Sequence, residues 1–571
     1  MARDRRHLSV PAGLCLLLGA SLIAACTKSP PDYPLAEHPL AEQATDLGAL
    51  SAAVGTAPPV ARDVGFERIL NARSEPHNWL TYYGAYDGQR YSPLNQINTQ
   101  NVKDLRPAWT FQFGQFGLQA GEGTYSFEAA PIVVDGVMYV SGWDGWVWAI
   151  NAETGQELWR YKHEIPIDTP LCCGNVNRGV AVAKGKVFMA TQNGHLVALD
   201  AVNGEPVWKK AFADIRAGES ATLAPLVVKN LVIVGNSGAE YGVRGHMDAF
   251  DIDTGRRVWR TYTVPEPGEP GSETWPKEGQ AWARGGGSVW ITGTYDPELD
   301  HMYWGTGNPS PDFDGSVRPG DNLYTSSVLA VDPDDGAMRW HYQWTPHELW
   351  DYDGNNENIL FDLDGRKLLA HFDKNGHLYI LDRTNGELVR VAPFAERLTW
   401  GLIDSSGKVT PMTIPTKEGV DICPGPAGGK EWTHAAYSPR TNLLYAPIIE
   451  TCANFKVLPV EFKEGLPYYG GEANTYPDHW GYVKAFDPST GQEVWAWKND
   501  KPMVASVLAT GGDLVFAGEP SGEFNAYDAR TGQLLWQHQT GSGHHSNPVS
   551  YSINGKQYVA VPVGWGGWVK G

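Results

Sequence analysis

Short apolar runs separated by glycine-marked turns fill most of this chain, and one phrase keeps returning. It is an apolar pair, an Asp or Asn, two or three variable residues, a Gly, three more residues and usually a Trp. Copies run from Ala149 to Trp159, Ala198 to Trp208, Ala249 to Trp259, Ala330 to Trp340, Ile380 to Arg390, Ala485 to Trp495 and Ala526 to Trp536. A weaker copy, Ala436 to Asn442, fills the long gap before Ala485. Glycines 155, 204 and 255 are spaced by 49 and 51 residues, and 336 to 386 by 50, the length of one unit of four short strands. In each copy the Asp or Asn and the Gly suit a tight turn between the last two strands of a unit, since Gly accepts positive φ and Asp or Asn caps the bend. Upstream lie strand-like runs such as Pro131 to Val140, whose Asp135-Gly136 pair is a hairpin signal. The pattern predicts an all-β chain: an eight-bladed β-propeller over residues 62–571 with a tryptophan docking between blades. The interval from 255 to 336 is too long by about half a blade, so an insertion is expected between Pro265 and Gly285.

Composition sharpens this picture. The 23 tryptophans exceed what an ordinary globular core uses, and the repeat accounts for them. A net charge of −20 argues against nucleic acid as a partner, because phosphate backbones are held by clustered Lys and Arg. Arg3, Arg5 and Arg6 precede an apolar run from Leu8 to Ile23 that ends in Ile23-Ala24-Ala25-Cys26. This reads as a signal peptide over 1–25 with a lipoprotein cleavage box, leaving Cys26 lipidated at the mature N-terminus; Arg5-Arg6 also permits twin-arginine export. Residues 26–61, rich in Pro and Ala, suit a flexible tether to a membrane. The expected location is periplasmic and membrane-anchored.

Setting aside Cys15 and Cys26, four of the six cysteines remain: Cys172, Cys173, Cys423 and Cys452. Adjacent cysteines are poorly spaced for a zinc site, and two free neighbouring thiols would be vulnerable in an oxidising compartment. A Cys172–Cys173 disulfide is the economical reading, which leaves Cys423 to pair with Cys452.

Leu171-Cys172-Cys173-Gly174 followed by Val176-Asn177-Arg178-Gly179 resembles the quinone-facing segment of the pyrroloquinoline-quinone-dependent methanol and ethanol dehydrogenase family. The likeness extends from Trp79-Leu80-Thr81-Tyr82-Tyr83-Gly84 to Gly564-Trp565-Gly566-Gly567-Trp568. It implies that the Cys172–Cys173 disulfide packs on one face of the quinone and Trp290 on the other, a sandwich suited to a planar cofactor. It also implies cofactor contacts at Glu128, Arg178, Thr191, Thr222, Ser237, Gly238, Ala239, Lys374 and Trp568. Three positions match the family's metal site: Glu240, Asn308 and Asp351. All offer oxygen, which selects a hard cation. Residues two apart on an extended segment point the same way, so Asp353 adds a further carboxylate beside Asp351. That extra aspartate resembles the lanthanide-dependent branch of the family, with calcium as the alternative.

The resemblance implies oxidation of a primary or secondary alcohol. The metal would polarise the quinone, Asp351 would act as general base, and hydride would pass to the quinone. No Cys-x-x-Cys-His is present, so electrons would go to a separate cytochrome c. Two features depart from the family pattern: Glu431 stands where an amide is common, and the chain stops soon after Gly567-Trp568. Either a strand near Trp79 closes the ring, or the sequence continues beyond Gly571. A non-enzymatic outer-membrane scaffold lipoprotein on the same propeller is the alternative that the repeat and the lipobox alone would allow.

Overall fold

The computed structural model describes residues 59–61, 63–113, 126–166 and 169–566. The predicted signal peptide, Cys26, most of the predicted tether and Trp568 lie outside the described residues. Among those described, no helix is long and apolar enough to cross a membrane.

The chain folds as predicted into consecutive antiparallel meanders. The first consists of Ile132–Val134, Val137–Ser141, Trp146–Asn151 and Glu157–Lys162. Four-stranded sheets of the same order start at Ala181, Leu226, Thr294 and Ile359. A further one begins at Ala436 and is interrupted by a long excursion between its second and third strands. The sheet of Leu508–Thr510 to Leu534–Gln539 gains a fifth, parallel strand from Tyr91–Ser92, and Val549–Ile553 pairs with Lys556–Ala560. Asp135 and Gly136 both take positive φ, 50° and 86°, as a two-residue hairpin turn matching the strand twist demands. The first two strands of the first sheet are buried on both faces, because each sheet packs between neighbours, and only its fourth strand is largely open to solvent. Continuous apolar runs therefore mark inner strands, and alternation is confined to the rim.

The recurring phrase has a single structural meaning. In all seven strong copies the apolar pair straddles a register shift, from Ala149/Ile150 to Ala526/Tyr527, and the turn joins the third and fourth strands. The Trp of one sheet then lies against the phrase glycine of the next. A Cβ on Gly204 would come within 2.6 Å of the Trp159 ring, and one on Gly255 within 2.8 Å of Trp208. The indole N–H groups of Trp159, Trp208, Trp259 and Trp495 donate to the carbonyls of Ala201, Ile252, Pro333 and Ala529 in the neighbouring turn.

One part of the sequence reading needs correction. The weak copy at Ala436 to Asn442 is no counterpart of the others: it joins the first two strands of a sheet whose last two are joined by the Ala485 copy. Its Pro-Arg-Thr-Asn turn uses the same chemistry, Asn442 at φ 56°, at a different hairpin. The missing step is supplied instead by Trp109. Its N–H donates to the Ala152 carbonyl and its ring covers Gly155, while Trp536 in turn donates to the Leu105 carbonyl. The expected insertion after Pro265 is present as two short 3-10 turns, Ser272–Thr274 and Ala281–Arg284. Trp79 pairs with Val133 of the first sheet.

Candidate functional site

In an antiparallel meander the start of the first strand and the end of the second lie at the same end of the sheet. Nearly every predicted site residue occupies one of those two places. Glu128, Thr222 and Trp290 stand four residues before the first strands at Ile132, Leu226 and Thr294, and Arg178 three before Ala181. Ser237, Asn308 and Lys374 follow the second strands that end at Gly235, Gly305 and Phe372. The loops are laced together in series: Asn547 donates to the Glu128 carbonyl, Ala130 N–H to the Arg178 carbonyl, and Arg178 N–H to the Thr222 carbonyl.

Arg178 is the hub of one half of the site. Its guanidinium lies 4.9 Å from the Trp290 ring and 4.5 Å from the Trp432 ring, 3.0 Å from Glu128, and donates to the Thr222 hydroxyl at 2.5 Å. The Ser237 hydroxyl is 3.3 Å from that of Thr222. Burial lifts the Glu128 carboxyl to about 7 against the pull of Arg178, and burial beside Arg178 drives His545 down to about 3. Arg178 Nε is buried without a hydrogen bond, which leaves it able to meet a polar ligand, while the Glu128 carboxylate is held by the Arg178 ion pair. Gly238 takes φ 116° where a Cβ would come 2.2 Å from the Gly218 carbonyl, so only glycine lets the chain turn into Ala239 and Glu240 there. The Cys172–Cys173 and Cys423–Cys452 disulfides are both formed. The Glu240 carboxylate lies with both sulfurs of the first, their atoms within 4.8 Å of one another.

The other half is built by one loop. The Glu348 carboxylate accepts from Tyr352 N–H at 2.8 Å and from Trp350 N–H. Trp350 and Tyr352 are fully buried and anchored to the Thr413 and Pro424 carbonyls. Asp351 and Asp353 both turn toward Lys374 and so share one side of the loop. Asp351 holds φ 67°, a left-handed conformation that Asp tolerates better than most residues. Asp353 is more than a turn residue: it accepts from Trp290 Nε1 at 3.2 Å, Asn308 N–H at 3.1 Å and Lys374 at 3.1 Å. The buried Lys374 ammonium also reaches Asp351 at 3.7 Å and Glu431 at 3.3 Å. Desolvation pushes Glu240 up to about 7. It also raises Asp351 strongly, with help from Asp353, Asp312 and Glu348 and opposition from Lys374.

Thr191 is not drawn into this cluster, because its hydroxyl is engaged in its own turn by Asn193 and His195. The sequence reading missed Glu348, Trp432, His545 and Asp312. Glu348 sits three residues before Asp351, but nothing in the local pattern distinguishes it. Trp432 and His545 stand four residues before first strands, the same place as Trp290.

The sequence matches the family described as "PQQ: Glucose/ethanol/alcohol dehydrogenase, beta-propeller domain" over residues 79–399 and 498–559. It is 40% identical to the quinoprotein alcohol dehydrogenase PedH of Pseudomonas putida over 539 residues, covering 89% of each chain. It is also 40% identical to the lanthanide-dependent methanol dehydrogenase of Methylacidiphilum fumariolicum, covering 88% of this chain and 87% of that one. A solved europium-containing methanol dehydrogenase superposes with a TM-score of 0.82 at 39% identity, over 88% of this chain and 92% of the other. The family match and the extent of these identities show that the chain belongs to the PQQ-dependent alcohol dehydrogenase family.

Proposed function

We propose that this protein oxidises an alcohol to an aldehyde or ketone by hydride transfer to pyrroloquinoline quinone beside a lanthanide ion. The observation that carries the reading is the loop that brings Asp351 and Asp353 together against Lys374 and Trp290. The residues present fit both groups. Trp290 and the Cys172–Cys173 disulfide offer two faces for a planar ring, with Glu128, Arg178, Thr222, Ser237, Gly238, Ala239 and Lys374 for its edge. Glu240, Asn308, Asp351 and Asp353 form an all-oxygen donor set for a hard ion. Asp353, a third carboxylate, favours a trivalent ion over calcium.

When bound, the quinone supplies the two-electron acceptor and the metal a Lewis acid beside it. Asp351 takes the hydroxyl proton of the alcohol. Lys374 offsets the charge of the paired aspartates, and Arg178 with Thr222 orients the far edge of the site. Electrons would leave to a separate cytochrome c. The series of contacts from Trp109 to Trp536, with Arg390 in place of an indole against Gly491, supports a ring of eight blades. Export with a lipid on Cys26 would hold the enzyme at the periplasmic face of a membrane, and Cys26→Ala should release it into the soluble fraction.

The test is reconstitution of the apoprotein with the quinone plus lanthanum or calcium, scanned over alcohols with an artificial electron acceptor. Turnover supports the reading. No absorbance change and no thermal shift on adding the quinone would hand the protein to the scaffold alternative.

A further inference from the structure

One carboxylate of the cleft belongs neither to the proposed base nor to the proposed metal ligands. Glu431 lies in the loop before the sheet that begins at Ala436, with its side chain buried. Its Oε1 stands 3.3 Å from the Lys374 ammonium, and its Oε2 accepts from Trp432 N–H at 2.6 Å. A closed series of contacts runs through it. Trp290 Nε1 donates to Asp353 at 3.2 Å, Asp353 meets Lys374 at 3.1 Å, and Lys374 meets Glu431. Glu431 in turn holds Trp432, whose ring lies 4.5 Å from the Arg178 guanidinium, and Arg178 lies 4.9 Å from the Trp290 ring. These six residues form one frame, with Glu431 three contacts from Trp290 in either direction.

The loop that carries Glu431 is fixed on both sides. Gly429 N–H donates to the Lys374 carbonyl at 2.8 Å, and a Cβ on Gly428, which holds φ 71°, would come within 2.6 Å of the Lys374 backbone. Only glycine lets the two segments press together there. On the other side the buried Lys430 ammonium donates to Glu357 at 2.8 Å and to the Glu431 carbonyl at 3.1 Å. Glu431 is therefore held in register with Lys374 by backbone contacts that do not depend on its own charge.

An ammonium has three N–H donors. Lys374 faces three carboxylates: Asp353 at 3.1 Å, Glu431 at 3.3 Å and Asp351 at 3.7 Å. The two aspartates are shared with the proposed metal, whereas Glu431 has Lys374 as its one cationic partner among the described residues. A cation beside a bound quinone favours the reduced cofactor, because reduction adds electron density, and a carboxylate in contact with that cation takes the advantage away. We propose that Glu431 is a positioning residue that holds Lys374 in the frame and lowers the reduction potential of the quinone bound there. This rests on the quinone-binding reading above. Its consequence is a reduced cofactor that passes its electrons on more readily.

The test reconstitutes the wild type, Glu431→Gln, Glu431→Asn and Glu431→Asp with pyrroloquinoline quinone and lanthanum. Each is equilibrated with a redox dye of known potential, oxidised and reduced cofactor are read by absorbance, and melting curves show that the variants fold. Glu431→Gln keeps an oxygen for Trp432 N–H and removes only the charge. At a fixed dye poise it should raise the reduced-to-oxidised ratio at least about tenfold, which is about 30 mV for a two-electron couple. Glu431→Asn, a second neutral side chain, should move the same way, and Glu431→Asp, which keeps the charge, should stay within about threefold of wild type. Folded, quinone-loaded neutral variants whose ratio matches the wild type, or falls, overturn this proposal alone. So does an equal shift in Glu431→Asp, which would assign the effect to packing rather than charge. A wild type with neither absorbance change nor thermal shift on adding the quinone overturns the quinone-binding reading beneath it.

Discussion

Replacing Asp353 with Asn isolates the charge of the third carboxylate from its role in the architecture. The side chain now accepts from Trp290 Nε1 and Asn308 N–H, and an amide oxygen can keep that geometry where alanine would leave two buried donors unmet. Lys374 loses its 3.1 Å partner but retains Asp351 and Glu431, so the ammonium is not stranded. What disappears is one negative charge facing the metal position. At an effective dielectric of about 20, a unit charge about 4 Å from a carboxylate is worth roughly 4 kcal/mol, and solvent in the open cleft reduces this to about 2–4 kcal/mol. A trivalent ion carries one unit more than a divalent one. The lanthanide-over-calcium preference should therefore fall by about 30- to 1,000-fold. The assay is terbium luminescence on the apoprotein in competition with calcium, with circular dichroism and melting to show that the variant folds. A terbium-to-calcium affinity ratio that stays within about threefold of wild type would refute the reasoning, as would a wild type fully active with calcium and indifferent to lanthanum.

Asp351→Asn should fold normally, since Asn tolerates the left-handed φ of 67°, yet lose about 10²- to 10⁴-fold in kcat because an amide cannot accept the hydroxyl proton; steady-state turnover beside a melting curve separates the two effects. Trp290→Ala should weaken quinone binding by at least about tenfold, read from quinone absorbance or fluorescence titration, because it removes a stacking face and a donor to Asp353. The pH dependence of stability has a readable sign at His545, held by burial at about 3 in the folded protein. The unfolded chain binds a proton below about 6.5 that the folded chain refuses, so this residue removes stability as pH falls from about 6.5 toward 3, by up to about 1.4 kcal/mol per pH unit. In His545→Gln the slope of unfolding free energy against pH between 4.5 and 6 should be smaller than in wild type by about that amount; parallel curves would exclude the assignment.

The fold was legible wherever local turn chemistry dictated it. Asp135-Gly136 and the seven strong phrases could be read because positive φ and a bulge-adjacent turn demand Gly and Asp or Asn at fixed spacing. Trp109 could not be read: it makes the same contact as Trp159 but comes from an N-terminal segment with no preceding turn phrase, and only closure of the ring gives it a glycine to cover. The copy at Ala436 misled for the converse reason, a correct turn at the wrong hairpin. In the site, Asp353 was reached from Asp351 by the parity of an extended segment, whereas Asp351 itself, Arg178, Trp290 and Lys374 were recognised only through family resemblance.

The reason lies in how the repeat carries the site. Residues just before each first strand converge on one face, so their spacing to the phrase glycine should be constant if the blades were identical. From Glu128 to Gly155 it is 27 residues and from Arg178 to Gly204 it is 26, but from Thr222 to Gly255 it is 33 and from Trp290 to Gly336 it is 46. The added residues are the loops that carry the chemistry: Ser237 to Glu240 turns through Gly238 in the third sheet, and Asn308 to Asp312 lies between the second and third strands of the fourth. The chain keeps its register where a site residue such as Glu128 or Arg178 stands directly before a first strand, and lengthens it where a further loop carries Glu240 or Asn308 into the cleft. Glu431 also stands just before a first strand. The frame it completes becomes visible only when Arg178, Trp290, Asp353 and Lys374, from 253 to 57 residues before it, are brought around it.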